Sequence, residues 1–170
     1  NKTIGYGNEK SLNQLLAHHS IIFQPEDLKV WVSASPYQLG TFVSYNLGAI
    51  FSDTSFNLQS KNIASLNIPP DNFLHSEAYK NYESYRILDR QIDRAIKHKL
   101  ILNNDTIHQY QSLNPDFWLV YYKAGVYYYN QKQYQLAQTA FGVALTKEIT
   151  TLPDKENIEK YLKKLKRKIK

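Results

Sequence analysis

Hydrophobic and polar residues follow two different periods along the chain. Between residues 18 and 35 the apolar residues form short runs, Ile21-Ile22-Phe23 and then Val30-Trp31-Val32, whereas after residue 75 they recur every three to four positions. The first pattern is typical of β-strands and the second of amphipathic helices. The sequence therefore predicts an α+β fold, with strands near the amino terminus and helices after them.

The two strand-like runs predict a β-hairpin. Pro25-Glu26-Asp27 separates them, and proline presets the backbone angle φ that a tight turn requires. A two-stranded hairpin is only marginally stable in water. Because the remaining sequence has no convincing strand pattern, we expect the hairpin to join a larger sheet supplied by another segment or chain.

The segment after the hairpin, residues 36–58, mixes Pro, Gly and aromatic residues and predicts an irregular stretch that wraps against the sheet. Its expected buried residues are Leu39, Phe42, Tyr45, Leu47, Ile50 and Phe51. Residues 59–74 are polar and contain Pro69-Pro70, which favours extended backbone. We predict three parts: the hairpin with its wrapping segment (1–58), a linker (59–74) and a helical tail (75–170).

The helical tail shows clear helix signals. Helices are predicted at residues 76–99, 106–113, 116–130 and 133–147, with Asp154 as the N-cap of a last one. The long helix places opposite charges at three- and four-residue steps. These residues are Arg86, Asp89, Arg90, Asp93 and Arg94. The spacing favours a solvated ladder of ion pairs over a catalytic pair of carboxylates.

The net charge of +6 is concentrated at one end. Residues 154–170 carry eight Lys or Arg and three Asp or Glu, which leaves +1 for the rest of the chain. An apolar stripe on the same predicted helix is formed by Ile158, Tyr161 or Leu162, Leu165 and Ile169. The lysines are therefore interpreted as the solvated face of a capping helix. Nucleic-acid binding is disfavoured, because the aromatic residues follow the buried period and do not interleave with the lysines.

Candidate chemistry is sparse. The chain has no cysteine, which excludes a disulfide, a thiolate metal site and a cysteine nucleophile within it. His18 and His19 are adjacent on a predicted strand and point to opposite faces, so one ion cannot easily bind both. Ser33 and Ser35 have no positioned base nearby. We predict no catalytic residue, no metal site and no cofactor.

The composition also bears on location and processing. No apolar run approaches the roughly 18–20 residues that span a bilayer, so we expect a soluble chain without a membrane span. Cysteine-free domains occur in reducing and oxidising compartments alike. Because the sequence has no methionine, Asn1 is not a translation start, and we expect a processed product or a fragment.

One stretch of the tail resembles a tetratricopeptide repeat. The residues at the repeat spacing are Tyr121, Ala124, Gly125, Tyr128, Tyr134, Ala137, Phe141 and Ala144. The resemblance implies one good repeat, a degenerate unit before it and a capping helix. It also implies that the first helix lines a groove for a peptide or partner protein. The residues presented would be Leu119, Tyr122, Val126, Tyr129 and Asn130; the alternative is that this strip packs on the chain's own β part.

Residues 18–51 resemble the closing segment of N-terminal-nucleophile hydrolases of the penicillin acyltransferase-like kind, where a late strand–turn–strand completes an αββα sandwich. Residues 68–74 are similar to an extension that precedes a repeat-like tail in some bacterial members. Their nucleophile is an N-terminal cysteine freed by autoproteolysis, which attacks an amide carbonyl. This chain has no cysteine and no arginine before Arg86.

The second resemblance therefore implies a non-catalytic C-terminal portion of an amidohydrolase or acyltransferase that acts on a linear amide or acyl group. The chain would serve as scaffold and docking tail, its partner being the rest of the parent protein or a companion chain. An extracytoplasmic bacterial location fits this reading. The alternative is a non-enzymatic adaptor of the tetratricopeptide type, which binds a peptide or partner protein.

Overall fold

The computed structural model describes residues 1–12, 15–52 and 62–169, and this part of the chain contains three β-strands and six α-helices. The α+β class predicted from the sequence is confirmed. Two compact units are present: Leu15–Ser76 holds the sheet, and Asn1–Gln14 with Glu77–Lys170 holds five of the helices. The predicted division differs, because it placed Asn1–Gln14 with the sheet and ended the linker at residue 74.

The sheet is antiparallel and has the order β1-β2-β3. Its strands are β1 (Ile21–Gln24), β2 (Lys29–Ser33) and β3 (Phe42–Asn46). The predicted hairpin is confirmed, since Pro25–Asp27 forms a 3₁₀ turn between β1 and β2. Leu28 completes the turn in the left-handed conformation with φ of 50°.

The prediction of an irregular segment after the hairpin is wrong for residues 42–52. Phe42–Asn46 is the strand β3, and Leu47–Ser52 is the helix α1. The physical reason is that β2 offers a second edge of unpaired backbone groups, and a stretch rich in aromatic and β-branched residues pairs with it. Phe51, which was expected to be buried, is 84% exposed, whereas Leu39 is buried. Residues 53–61 of the predicted wrapping segment and linker lie outside the described residues.

Part of the predicted linker lies along the outer edge of β3. The backbones of Phe42 and Ile68 exchange two hydrogen bonds of 3.0 Å. Nearby, the Ser44 hydroxyl donates to the carbonyl of Ile63 at 2.7 Å, and the Ser44 N–H donates to Oδ1 of Asn67 at 2.9 Å. Residues 62–68 therefore cover the β3 edge of the sheet.

The other unit contains five helices, of which the first four begin and end within two residues of the predicted bounds. They are α2 (Glu77–His98), α3 (Asn104–Leu113), α4 (Trp118–Asn130), α5 (Tyr134–Leu145) and α6 (Leu152–Leu165). The N-cap of α6 is Thr151 and not Asp154 as predicted. The Asp154 N–H donates to the Thr151 hydroxyl, which donates in turn to the Asp154 carboxylate at 2.6 Å. This reciprocal pair starts the helix earlier.

Helices α4 and α5 pack closely as a hairpin because small residues lie between them. Ala124, Ala137 and Ala144 are fully buried. A Cβ atom built on Gly125 would lie 2.7 Å from the ring of Phe141, so that ring occupies the space which glycine leaves. Helices that approach this closely gain dispersion contacts along their whole interface.

The amino-terminal segment, residues 1–12, is fixed to the helical unit by two buried asparagines, Asn8 and Asn114. Nδ2 of Asn8 donates to the carbonyls of Ile4 and Glu148 at 3.1 and 2.9 Å. Gly5, with φ of +84°, passes so close to the backbone of Phe117 that an added Cβ would lie 2.4 Å away. The segment is therefore an integral part of this unit.

Candidate functional site

The five residues predicted to bind a partner all lie on α4. Val126 is buried, and the other four are half-buried. Three of them, Tyr122, Tyr129 and Asn130, contact side chains or backbone of the same unit. Asn130 donates from Nδ2 to the carbonyl of Ile96 on α2 at 3.4 Å. The strip thus contributes to packing within the helical unit, and its binding of a partner stays a prediction.

The two tyrosines of the strip share one neighbour, Tyr161 of α6. The ring centroid of Tyr161 lies 6.2 Å from that of Tyr122 and 5.2 Å from that of Tyr129, both edge-on. It also stacks on Phe141 of α5 at 4.8 Å. Burial raises the pKa of Tyr122 and of Tyr161. The capping helix α6 therefore covers the tyrosine part of the strip.

A cluster of polar side chains joins three helices. Lys123 of α4 donates to both carboxylate oxygens of Asp89 on α2 at 2.8 and 2.9 Å, and to Asp93 at 2.9 Å. The Tyr110 hydroxyl of α3 donates to Asp89 at 2.6 Å. The sequence placed Asp89 and Asp93 in a ladder along their own helix, whereas the structure has them bind a cation from another helix.

The chemistry of this cluster is that of a clamp. Burial, followed by electrostatic coupling to Tyr85 and to the Asp89 carboxylate, raises the pKa of Tyr110 far above its ordinary value. Burial likewise raises the pKa of Tyr85, whose ring stacks on Tyr110 at 5.5 Å. Both phenols are neutral and buried, and Nζ of Lys123 is already hydrogen-bonded to two carboxylates. Such an arrangement holds helices together and supplies no nucleophile.

The serine and histidine candidates from the sequence lie near the start of β1 and near the end of β2. Ser33 is buried, and its hydroxyl oxygen accepts a 2.7 Å hydrogen bond from the Ser20 N–H at the open end of the hairpin. His18 and His19 are exposed just before β1. Among the described residues, no group of three or more His, Asp or Glu could hold a metal ion. No helix in the same part of the chain is long and apolar enough to cross a membrane.

Strand β1 is an exposed apolar edge. All four of its residues are exposed, with Ile21 at 52% and Phe23 at 64%. Ile22, which points to the opposite face, is exposed as well. Across the residues that the structure describes, β1 pairs with β2 alone. Large apolar side chains thus meet solvent on both faces of a strand whose outer edge is unpaired.

A second open surface is the groove between α5 and α6, here called the α5–α6 groove, with a volume of ≈ 460 Å³. It is lined by Gln138, Gly142, Glu159, Leu162, Lys163 and Lys166. Sequence reasoning missed it. Its only sequence signal is a glycine inside a helix together with Leu and Lys at helical spacing on the next one.

Comparison of the chain with known protein families, with characterised proteins and with solved structures finds no match. The resemblances to a tetratricopeptide repeat and to N-terminal-nucleophile hydrolases therefore stay predictions from the sequence. A functional proposal for this chain therefore rests on the contacts, burial and charges of its own residues.

Proposed function

We propose that this chain is a non-catalytic scaffold whose sheet completes the larger sheet of an amidohydrolase or acyltransferase of the N-terminal-nucleophile kind. Its helical unit serves as a docking tail. The catalytic groups belong to the parent protein or to a companion chain, and the substrate is a linear amide or acyl group. The observation that carries the proposal is the exposed apolar edge at β1.

The backbone of β1 is suited to accept a further strand. Ser20 and Ser33 form a hydrogen-bonded pair at the end of the ladder, since the Ser33 N–H donates to the Ser20 carbonyl at 2.9 Å. Hydrogen-bonded and non-hydrogen-bonded pairs alternate in antiparallel sheets. The N–H and C=O groups of Ile21 and Phe23 therefore point outward. A strand laid along β1 would pair with these groups.

The side chains of β1 have the pattern of a strand that is covered on both faces of its sheet. A strand with one solvated face alternates apolar and polar residues, whereas a strand covered on both faces is apolar throughout. Ile21, Ile22 and Phe23 follow the second pattern while they are exposed on both faces. In an αββα sandwich each sheet packs on helices at one face and on the other sheet at its second face. That environment would cover all three side chains.

The proposal is tested on the protein isolated from its source under native conditions. Intact mass and N-terminal sequencing should find a companion segment with an N-terminal cysteine, and thiol alkylation should abolish hydrolysis of linear N-acyl amides. A native protein that consists of this chain alone would overturn the proposal.

A matched pair of variants tests the role of β1. Phe23→Lys places a charge on the outer strand, where it opposes pairing with a further strand. Leu28→Lys makes the same kind of change at another exposed apolar residue, which lies in the turn. Association with the companion should be lost in the first variant and kept in the second. Equal retention in both would contradict a role for the β1 edge.

The second candidate function is a non-enzymatic adaptor of the tetratricopeptide type. The fit of Gly125 against Phe141 and the buried alanines of α4 and α5 support a repeat-like hairpin. The open surface that favours this candidate is the α5–α6 groove, since Tyr161 already contacts the tyrosines of the α4 strip. An adaptor would be isolated from its source with its partner bound and with no companion segment that bears an N-terminal cysteine, which separates the two candidates.

A further inference from the structure

We infer that the α5–α6 groove binds an acidic protein segment. One apolar side chain of that segment enters the groove, and the acidic residues on either side of it contact the rim. This inference deepens the docking role proposed above and rests on it. It does not depend on completion of the sheet by another segment.

The floor of the groove has room for an apolar side chain. A Cβ atom built on Gly142 would meet nothing within 4 Å apart from the adjacent residues and backbone of its own helix, so the floor of the groove is open at this position. Leu162 of α6 is only partly covered and supplies the apolar surface opposite. The volume of ≈ 460 Å³ lies within the range of roughly 300–1,000 Å³ found for binding sites.

The rim of the groove is positively charged. Lys163 and Lys166 lie three residues apart at its edge, and neither forms an ion pair with a carboxylate of the described residues. Glu159 is the one carboxylate among the lining residues. The surrounding sequence, residues 154–170, carries eight Lys or Arg against three Asp or Glu. This excess of positive charge attracts and orients an acidic partner.

Other polyanions fit this surface less well than an acidic protein does. None of the six lining residues is aromatic, and Tyr161 of the same helix is stacked on Phe141, so the groove offers no platform for a base. A membrane surface would need an exposed apolar stripe on α6. Ile158 and Leu165 of that stripe are fully buried inside the unit.

The test is a titration of the full chain with short fluorescent synthetic peptides, followed by anisotropy. The first peptide has a central Leu flanked by Asp and Glu. Its controls replace the acids by Asn and Gln, or the Leu by Ser. Binding of the first peptide should weaken by about tenfold or more with either replacement. Equal binding of all three peptides, or no binding of the first at low salt, overturns the inference.

Matched variants of the chain locate the site. Lys163→Glu with Lys166→Glu should weaken binding by about tenfold or more. Lys164→Glu with Lys168→Glu makes the same change of net charge away from the groove, since these ammonium groups lie over the rings of Tyr161 and Tyr134. The control pair should leave the affinity within about threefold. An equal loss in both pairs would mean attraction by net charge and would overturn the assignment to the groove.

Substitutions at Gly142 test the floor separately from the charges. Gly142→Phe should fill the groove and abolish binding, whereas Gly142→Ala should keep binding and raise the thermal midpoint, because alanine favours helix more than glycine does. Tight binding by the Phe variant would contradict the inference. A single-stranded oligonucleotide and anionic vesicles complete the test, and binding to either that matches the acidic peptide would overturn it. The native-mass measurement of the proposed function can fail without affecting these results.

Discussion

The carboxamide of Asn114 pairs with the backbone of Tyr6 through both of its polar groups. Its Oδ1 accepts from the Tyr6 N–H at 3.0 Å, and its Nδ2 donates to the Tyr6 carbonyl at 2.7 Å. Asn114 is almost completely buried. The Asn114 carboxamide thus satisfies both backbone groups of Tyr6, as a paired β-strand would. It fixes the amino-terminal segment to the loop between α3 and α4.

Replacing Asn114 by Ala should destabilise the protein by about 2 kcal/mol, because the Tyr6 backbone groups lose these two partners in a partly buried setting. Asn157→Ala, at an exposed position of α6, should change stability by no more than about 0.5 kcal/mol. Urea unfolding measures both values. Amide hydrogen exchange should also be faster in residues 1–12 of the Asn114 variant alone. Unchanged exchange there would contradict the role of Asn114 in fixing the amino-terminal segment.

The Lys123 clamp predicts a difference between two aspartates on the same helix. Asp89 is 21% exposed and accepts from Lys123 and Tyr110, whereas Asp93 is 54% exposed and accepts from Lys123. Asp89→Asn should cost about 2 kcal/mol, and Asp93→Asn less than about 1 kcal/mol. Chemical denaturation of the two variants decides this. Equal costs would show that burial and the tyrosine bond do not strengthen the pair.

Alkaline pH should unfold the helical unit. Burial raises the pKa of Tyr82 from its ordinary value of 10.0 to about 12, and the pKa values of Tyr85 and Tyr110 are raised as well. The folded state then binds more protons than the unfolded state once pH exceeds 10. This contribution to stability is therefore fully present well below pH 10 and is lost as the pH rises above 10, by up to about 1.4 kcal/mol per pH unit for each such tyrosine.

Urea unfolding at a series of pH values between 9 and 12 checks this dependence. Tyr82→Phe removes one ionising group, so its stability should fall less steeply with pH than that of the wild type. Identical slopes in the two proteins would show that Tyr82 ionises equally in the folded and unfolded states.

The tyrosine part of the α4 strip can be tested by truncation. Tyr122→Ala with Tyr129→Ala should destabilise the protein by several kcal/mol, roughly 3 to 5, because both rings pack against Tyr161. Tyr161→Ala should show non-additive coupling with either change in a double-mutant cycle. A thermal midpoint that barely moves would instead support the strip as an open partner-binding groove.

Helix positions were predictable because they depend on residues close in sequence. The apolar period of α2 predicted residues 76–99, and the helix spans Glu77–His98. The N-cap of α6 was misplaced because Thr151 and Asp154 are both good caps, and only the hydrogen-bond geometry distinguishes them. Strand β3 was missed because Phe42–Asn46 follows Pro and Gly and pairs only once β2 offers its edge.

The candidate surfaces were less predictable than the elements that carry them. The sequence indicated apolar residues on β1 and lysines on α6, but solvent exposure depends on what the rest of the chain covers. Tyr161 lies over Tyr122 and Tyr129, whereas Leu162, the next residue, lines the α5–α6 groove. A single helical step thus separates a packed aromatic residue from one in an open groove.

The sequence by itself determined the α+β class, the hairpin, the helices and the small residues between α4 and α5, since these follow from local periodicity and side-chain size. Tertiary structure alone decided which polar groups pair: Tyr6 with Asn114, 108 residues away, and Asn8 with Glu148, 140 residues away. The reason is physical. A hydrogen bond depends on distance and direction between atoms, and a linear pattern contains neither until the chain has folded.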